Sequence, residues 1–285
     1  MHTPARFLTL AALALAAGCT MAPVSVTTAP EVPQGEIKGS AWAHTPESLA
    51  GSVRQGALVL PAQATGGAVY AGPIAGAPAA RARVPVVLFL HGSSGLSLKA
   101  IGEWQQWLAA QGIASFAPDS FALPDHVTYK SPIDKASYER IHALRASEIA
   151  PALAALRAAP WADPSRLVLA GTSEGSVPVA RYTGKEFAAR MLFAWSCEPN
   201  YFVTEPRNAL ENDKPVLNII SSVDPYFSPA NTWLGNPDAK GSCAAALKDN
   251  KQAIIALIPG APHTLLNLPR VREVTAGFLG GVVGR

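Results

Sequence analysis

Arg166-Leu-Val-Leu-Ala-Gly-Thr-Ser-Glu-Gly-Ser176 joins two kinds of local signal. Leu167 to Ala170 is a short apolar run, which predicts a strand buried on both faces. Gly171-Thr172-Ser173-Glu174-Gly175 follows at once and has the form G-x-S-x-G. In that context the pattern predicts a sharp strand-to-helix turn that lifts one serine above the sheet edge. Glycines on either side permit strained torsions and close backbone approach. The helix start then offers unpaired N–H groups and a positive dipole end to an oxyanion. Ser173 is the candidate nucleophile.

Working outward, the surrounding chain alternates strand and helix. Val84 to Leu90 (Val-Pro-Val-Val-Leu-Phe-Leu) reads as a second buried strand, ended by the turn His91-Gly-Ser-Ser-Gly95. A helix is expected over 98–111, with Trp104, Trp107 and Leu108 on its core face. Ile113 to Ala117 is the next strand. Residues 121–135 form the longest irregular stretch and are a natural place for a binding loop. A long helix is expected from Asp134 to Ala159, kinked or divided by Pro151. Beyond Ser173 come a helix to Tyr182 and strands at Met191–Trp195, Pro215–Ser221 and Gln252–Ile258. Helices are expected at Cys243–Asn250 and Val271–Val283. Ala57 to Leu60 and Ala68 to Tyr70 read as short first strands. The pattern predicts an α/β fold with helices on both faces of a mostly parallel sheet. Its site belongs outside the carboxyl ends of the strands.

A serine hydroxyl needs a base near neutral pH, and histidine suits the role. Of six histidines only His263 follows Ser173, in the loop after the last predicted strand. A carboxylate must hold the imidazole's tautomer. Asp224 directly follows an apolar strand, whereas Asp213 precedes it and Asp238 and Asp249 lie in polar contexts. The order is then Ser173, Asp224, His263. The oxyanion donors are expected to be the backbone N–H groups of Glu174 and Ser93. His91 reads as a structural hydrogen-bonding residue. The Glu174 side chain can pair with Arg145 or another base, or face solvent. Arg145 and Glu148, three apart on a helix, read as an ordinary surface pair.

From about Ala57 onward the chain resembles the α/β-hydrolase superfamily, and most nearly its dienelactone-hydrolase-like members. The likeness rests on His91-Gly92, Pro118-Asp-Ser-Phe121, Gly171-Thr-Ser-Glu-Gly175, Val223-Asp-Pro225 and Pro262-His263. The founding dienelactone hydrolases use cysteine where this chain has Ser173. The resemblance therefore implies a general ester hydrolase with a small-molecule ester substrate, an acyl-enzyme and no cofactor. A peptidase of the same fold and a non-catalytic scaffold are the alternatives.

Composition agrees. The chain has 285 residues, 49% hydrophobic and 15% charged, enough for a sizeable core. Its net charge of +3 is not clustered, so nucleic-acid binding has no electrostatic footprint. No metal-binding spacing such as H-E-x-x-H is present. The first 18 residues read as a signal segment with an apolar run at Phe7–Ala17. Leu15-Ala-Ala-Gly-Cys19 resembles a bacterial lipoprotein signal, which implies lipidation of Cys19 and membrane anchoring; an ordinary secretory signal cut nearby, with release to the periplasm, is the alternative. Thr20 after it implies the outer membrane. Residues 19–39 read as a flexible tether and 40–285 as the folded domain. In an oxidising periplasm Cys197 and Cys243 can pair, or remain two buried thiols.

Overall fold

The computed structural model describes residues 1, 32–206 and 208–284. The signal segment, Cys19 and the tether as far as residue 31 lie outside the described residues. The strands are β1 (Glu36–Lys38), β2 (Ala57–Leu60), β3 (Tyr70–Gly72), β4 (Val84–Leu90), β5 (Ala114–Ala117), β6 (Thr128–Lys130), β7 (Ala162–Thr172), β8 (Ala189–Phe193), β9 (Val216–Ser221) and β10 (Ala253–Ile258). The helices are α1 (Pro46–Gln55), α2 (Ala62–Thr65), α3 (Lys99–Ala110), α4 (Lys135–Ser147), α5 (Ile149–Ala158), α6 (Ser176–Arg181) and α7 (Pro269–Val282).

Eight strands form one sheet in the order β10-β9-β8-β7-β4-β5-β2-β3. From β10 to β5 every neighbouring pair is parallel; β2 and β3 add an antiparallel margin. Chain order reverses at β4, which has β5 on one side and β7 on the other. Ligand sites of open α/β sheets form at such reversals, so the ends of β4 and β7 mark the place.

Two apolar layers cover the sheet. Val86, Leu88 and Leu90 face one, with Leu153, Leu156 and Trp161; Val87 and Phe89 face the other, with Trp104, Leu108 and Phe278. This is the period-two alternation of a strand buried on both sides. Full burial of each large apolar side chain contributes roughly 1.5–3 kcal/mol. Pro85 removes one ladder donor, and the β4–β7 register shifts between Val84 and Val86.

Of three expectations, one is met and two need correction. The helix foreseen from Asp134 to Ala159, to be kinked or divided by Pro151, is two helices. Asp134 caps α4 by accepting from the Ser137 N–H at 2.8 Å. The ring of Pro151 would clash with the carbonyl of Ser147, so α4 ends there and Pro151 falls in the first turn of α5. Cys243–Asn250 is a series of turns. The Cys243 N–H donates to the Asn218 side chain (3.0 Å), and the Leu247 N–H to the Cys243 carbonyl makes a single helical turn. Third, a strand lies before residue 40, within the stretch read as tether. β1 pairs antiparallel with β6, inside the loop foreseen at 121–135.

Cys197 and Cys243 form a disulfide, with Cα atoms 4.8 Å apart. It joins the segment after β8 to the turns before β10. Closing a loop of 46 residues contributes at most about 4 kcal/mol in the chain-entropy picture.

Candidate active site

The turn after β7 is built as its glycines require. Ser173 has φ +53°, in the left-handed region that side chains with a Cβ rarely adopt. A Cβ on Gly171 would lie 2.3 Å from the Gly175 carbonyl oxygen, and one on Gly175 would lie 2.3 Å from that of Leu90. Backbone therefore crosses backbone at both positions. The Ser176 hydroxyl closes the turn by donating to the carbonyls of Gly171 (2.7 Å) and Phe193 (2.8 Å). Ser173 itself is half-buried.

The loops after β9 and β10 are tied together. The Ser221 hydroxyl donates to the Ala261 carbonyl at 2.5 Å, and the Gly260 N–H to the Ser222 hydroxyl at 3.3 Å. These bonds bring His263 over Asp224, with His263 Nδ1 2.7 Å from Asp224 Oδ2. Asp224 is wholly buried. Its other oxygen, Oδ1, accepts the N–H groups of Tyr226 (2.9 Å) and Phe227 (3.0 Å). The Asp-Pro turn thus solvates the carboxylate from its own backbone.

Ser173 and His263 line one cavity of about 490 Å³, together with Gly92 and Ser93. No hydrogen bond joins the Ser173 hydroxyl to His263 here. The loop after β4 reaches Ser173, since a Cβ on Gly92 would touch the Ser173 Cβ at 3.4 Å. Tyr129, Tyr201, Phe202, Tyr226 and Phe227 supply aromatic walls. The last two also flank the imidazole, with ring centroids 4.7 and 6.0 Å from it.

His91 is structural. Its Nδ1–H donates to the Gly92 carbonyl (2.7 Å), and its Nε2 accepts the Ser120 N–H (3.2 Å). Burial and the nearby Arg145 guanidinium hold it down to about pKa 3, so the ring is neutral.

The largest departure from expectation lies beneath the turn. Arg145 and Glu148 are not a surface pair: both side chains are fully buried, with Nε 3.1 Å from Oε2. Arg145 Nη1 also lies 2.6 Å from Glu174 Oε1 and donates to the His91 carbonyl at 2.9 Å. Glu174 Oε2 accepts the Tyr129 hydroxyl at 2.7 Å. Glu148 Oε1 takes His44 Nε2–H at 3.1 Å and a short bond from the Ser120 hydroxyl. Burial pushes the Glu148 carboxyl up, but the Arg145 guanidinium and the His44 and Ser120 hydrogen bonds outweigh it and bring it to about 2. Burial likewise opposes the Arg145 charge, and its two carboxylate neighbours raise its pKa against that. Burial, then the Glu174 charge, raises the Tyr129 hydroxyl, which stays a donor.

Among the described residues, no group of three or more His, Cys, Asp or Glu could hold a metal ion. No helix among them is long and apolar enough to cross a membrane.

A parallel sheet reversing at β4, with a strained serine after β7 and a histidine–aspartate pair after β9 and β10, has the α/β-hydrolase fold. Solved structures bear this out. TT1662 from Thermus thermophilus is similar at 18% identity and TM-score 0.54, covering 72% of this chain and 91% of its own. A Klebsiella pneumoniae protein assigned as a dienelactone hydrolase is similar at 16% and 0.51, covering 81% and 99%. A cold-adapted esterase from an Arctic intertidal metagenomic library, in its PEG-bound form, is similar at 19% and 0.51, covering 75% and 87%. At such identities the likeness establishes the fold alone. No protein-family model matches the chain, and no curated protein does.

Proposed function

We propose that the protein is a serine hydrolase of small carboxylic esters. The observation that carries this reading is the strained Ser173 sharing a cavity with His263, whose Nδ1 is held by a fully buried carboxylate. Asp224 fixes the tautomer with Nε2 unprotonated and free to act as base. His263 takes the Ser173 proton as the oxygen bonds to the ester carbonyl carbon. The carbonyl oxygen becomes an oxyanion, facing the Ser93 and Glu174 N–H groups. Such donors are each worth about 10²–10³ in turnover. Collapse expels the alcohol, which takes the proton from His263 and leaves an acyl-serine. Water, deprotonated by the same imidazole, attacks that ester and releases the acid and the free serine. None of these steps calls on a cofactor. The cavity's size suits a small molecule, and the esterases among the structural neighbours give the reading its substrate class.

The test is labelling of Ser173 by a fluorophosphonate, mapped by mass spectrometry, alongside turnover of p-nitrophenyl esters of graded acyl length. Ser173→Ala should lose both and keep the wild-type melting temperature. Turnover of peptide amides in preference to esters would favour a peptidase. Absence of labelling in the wild type would favour a binding scaffold.

The same reading extends to location. The leader and Cys19 support a lipid-anchored envelope protein, and a disulfide suits an oxidising compartment. Cys19→Ser should move the protein from membrane to soluble fractions; unchanged fractionation would count against the anchor.

A further inference from the structure

The buried ion cluster under the serine turn has no part in the chemistry above, yet it bonds Glu174 and the first residue of the loop that carries Ser93. A single nitrogen, Arg145 Nη1, bonds the His91 carbonyl on one side and the Glu174 carboxylate on the other. His91 begins the loop that carries the Ser93 N–H. Glu174 carries the second N–H on its own backbone.

The peptide planes show how the constraint is passed on. The Gly92 carbonyl accepts from His91 Nδ1 and from the Gly95 N–H (3.1 Å). Across a planar trans peptide the Ser93 N–H must point opposite to that carbonyl. Arg145 holds the preceding carbonyl, so two successive peptides of the loop are oriented from beneath. Glu174 is gripped at both carboxylate oxygens, by Arg145 and by Tyr129. Arg145 is itself oriented through Nε by Glu148. A fully buried cluster of two carboxylates and one guanidinium is a poor device for stability, since apolar residues of like volume commonly serve as well.

We propose that Arg145 is a positioning residue, fixing the separation and direction of the Ser93 and Glu174 N–H donors through the His91 carbonyl and the Glu174 carboxylate. The proposal rests on the hydrolase reading. Displacement of reacting groups by about 1 Å can cost about 10² in rate, and loss of one oxyanion donor costs about 10²–10³. Loosening the cluster should therefore act on turnover and leave ground-state binding alone.

The experiment compares wild type, Arg145→Met, Arg145→Lys and the nearly isosteric Glu174→Gln. Turnover of a p-nitrophenyl ester is expressed per active site titrated with a fluorophosphonate. Inhibition by an alkyl boronic acid, whose tetrahedral serine adduct places an oxygen on the two donors, is measured in parallel. Arg145→Met should lower kcat per site by about 10²-fold and Glu174→Gln by about tenfold, with KM within threefold. Boronate affinity should fall in step with kcat, and Arg145→Lys should recover part of both. A merely structural role would lower the melting temperature and the number of titratable sites while leaving kcat per site intact, and that result would overturn the proposal. If Arg145→Met does not fold, Glu174→Gln decides. A wild type that neither turns over esters nor binds the boronate would instead bring down the hydrolase reading, and this proposal with it.

Discussion

Asp224→Asn is the sharpest probe of the site, because the structure dictates how the new amide must sit. Asp224 Oδ1 accepts two backbone N–H groups at 2.9 and 3.0 Å, and Oδ2 faces His263 Nδ1 at 2.7 Å. Asparagine has one oxygen and one NH₂. With the oxygen kept on the two N–H groups, the NH₂ faces Nδ1. The reverse placement sets the NH₂ against one buried and one part-buried donor, each costing about 1–3 kcal/mol when left unsatisfied. The first orientation is favoured by roughly 2–6 kcal/mol on that count. An NH₂ facing Nδ1 makes that nitrogen an acceptor and moves the ring proton to Nε2, so the base is blocked towards Ser173. The analogous change in serine proteases lowers turnover by about 10⁴, or about 5.4 kcal/mol at 1.36 kcal/mol per decade. The assay is kcat per titrated site for a p-nitrophenyl ester, with the tautomer read by ¹⁵N NMR of the His263 ring. KM should change little. Turnover within tenfold of wild type, with the proton shown on Nε2, would refute the assignment of His263 as the base.

Two further outcomes are expected. Gly175→Ala places a Cβ about 1 Å inside ordinary contact distance of two backbone carbonyls; it should cost about 1–3 kcal/mol by overpacking and at least tenfold in turnover, checked by denaturant melts and kinetics. His142 is held down to about 3, first by burial and then by the Arg181 guanidinium, with Glu139 opposing. Its folded pKa lies below the ordinary 6.5, so the stability linked to its neutral form is complete above pH 6.5 and lost as pH falls towards 3. His91 adds to the same loss across the same window, and Glu148 adds to it below about pH 4.5. His142→Leu should narrow the gap between melting temperatures at pH 7.5 and 4.5; an unchanged gap would show that this ring does not contribute.

Strand ends made the candidate site legible from sequence. Val84–Leu90 and Leu167–Ala170 are apolar runs too short for helices, and each is followed at once by glycine and polar residues. Asp224 and His263 stand in the loops just after such runs, so the sheet brings them to one edge, and the bonds between the two loops complete their approach. The support beneath was hidden for a physical reason. Arg145 and Glu148 have the i, i+3 spacing common to solvated pairs, and spacing carries no record of burial. Glu174 had several possible partners because ion pairing across 29 residues leaves no periodic mark. Three-residue strands such as β1 and β6 are too short for alternation to register, and they exist because they pair with each other. At Cys243–Asn250 the bond to Asn218 and the disulfide override a helical composition.

The reach of His44 has a practical corollary. Its ring, 1% exposed, docks on the Glu148 carboxylate although it precedes the first strand of the large sheet. A fragment beginning at Ala57 would retain Ser173, Asp224 and His263 and all eight strands of that sheet. It would still strip one face of the ion cluster and admit water beside Arg145. The smallest piece that looks whole in a topology diagram is thus smaller than the piece expected to work, and about twenty residues ahead of the sheet belong to the machine.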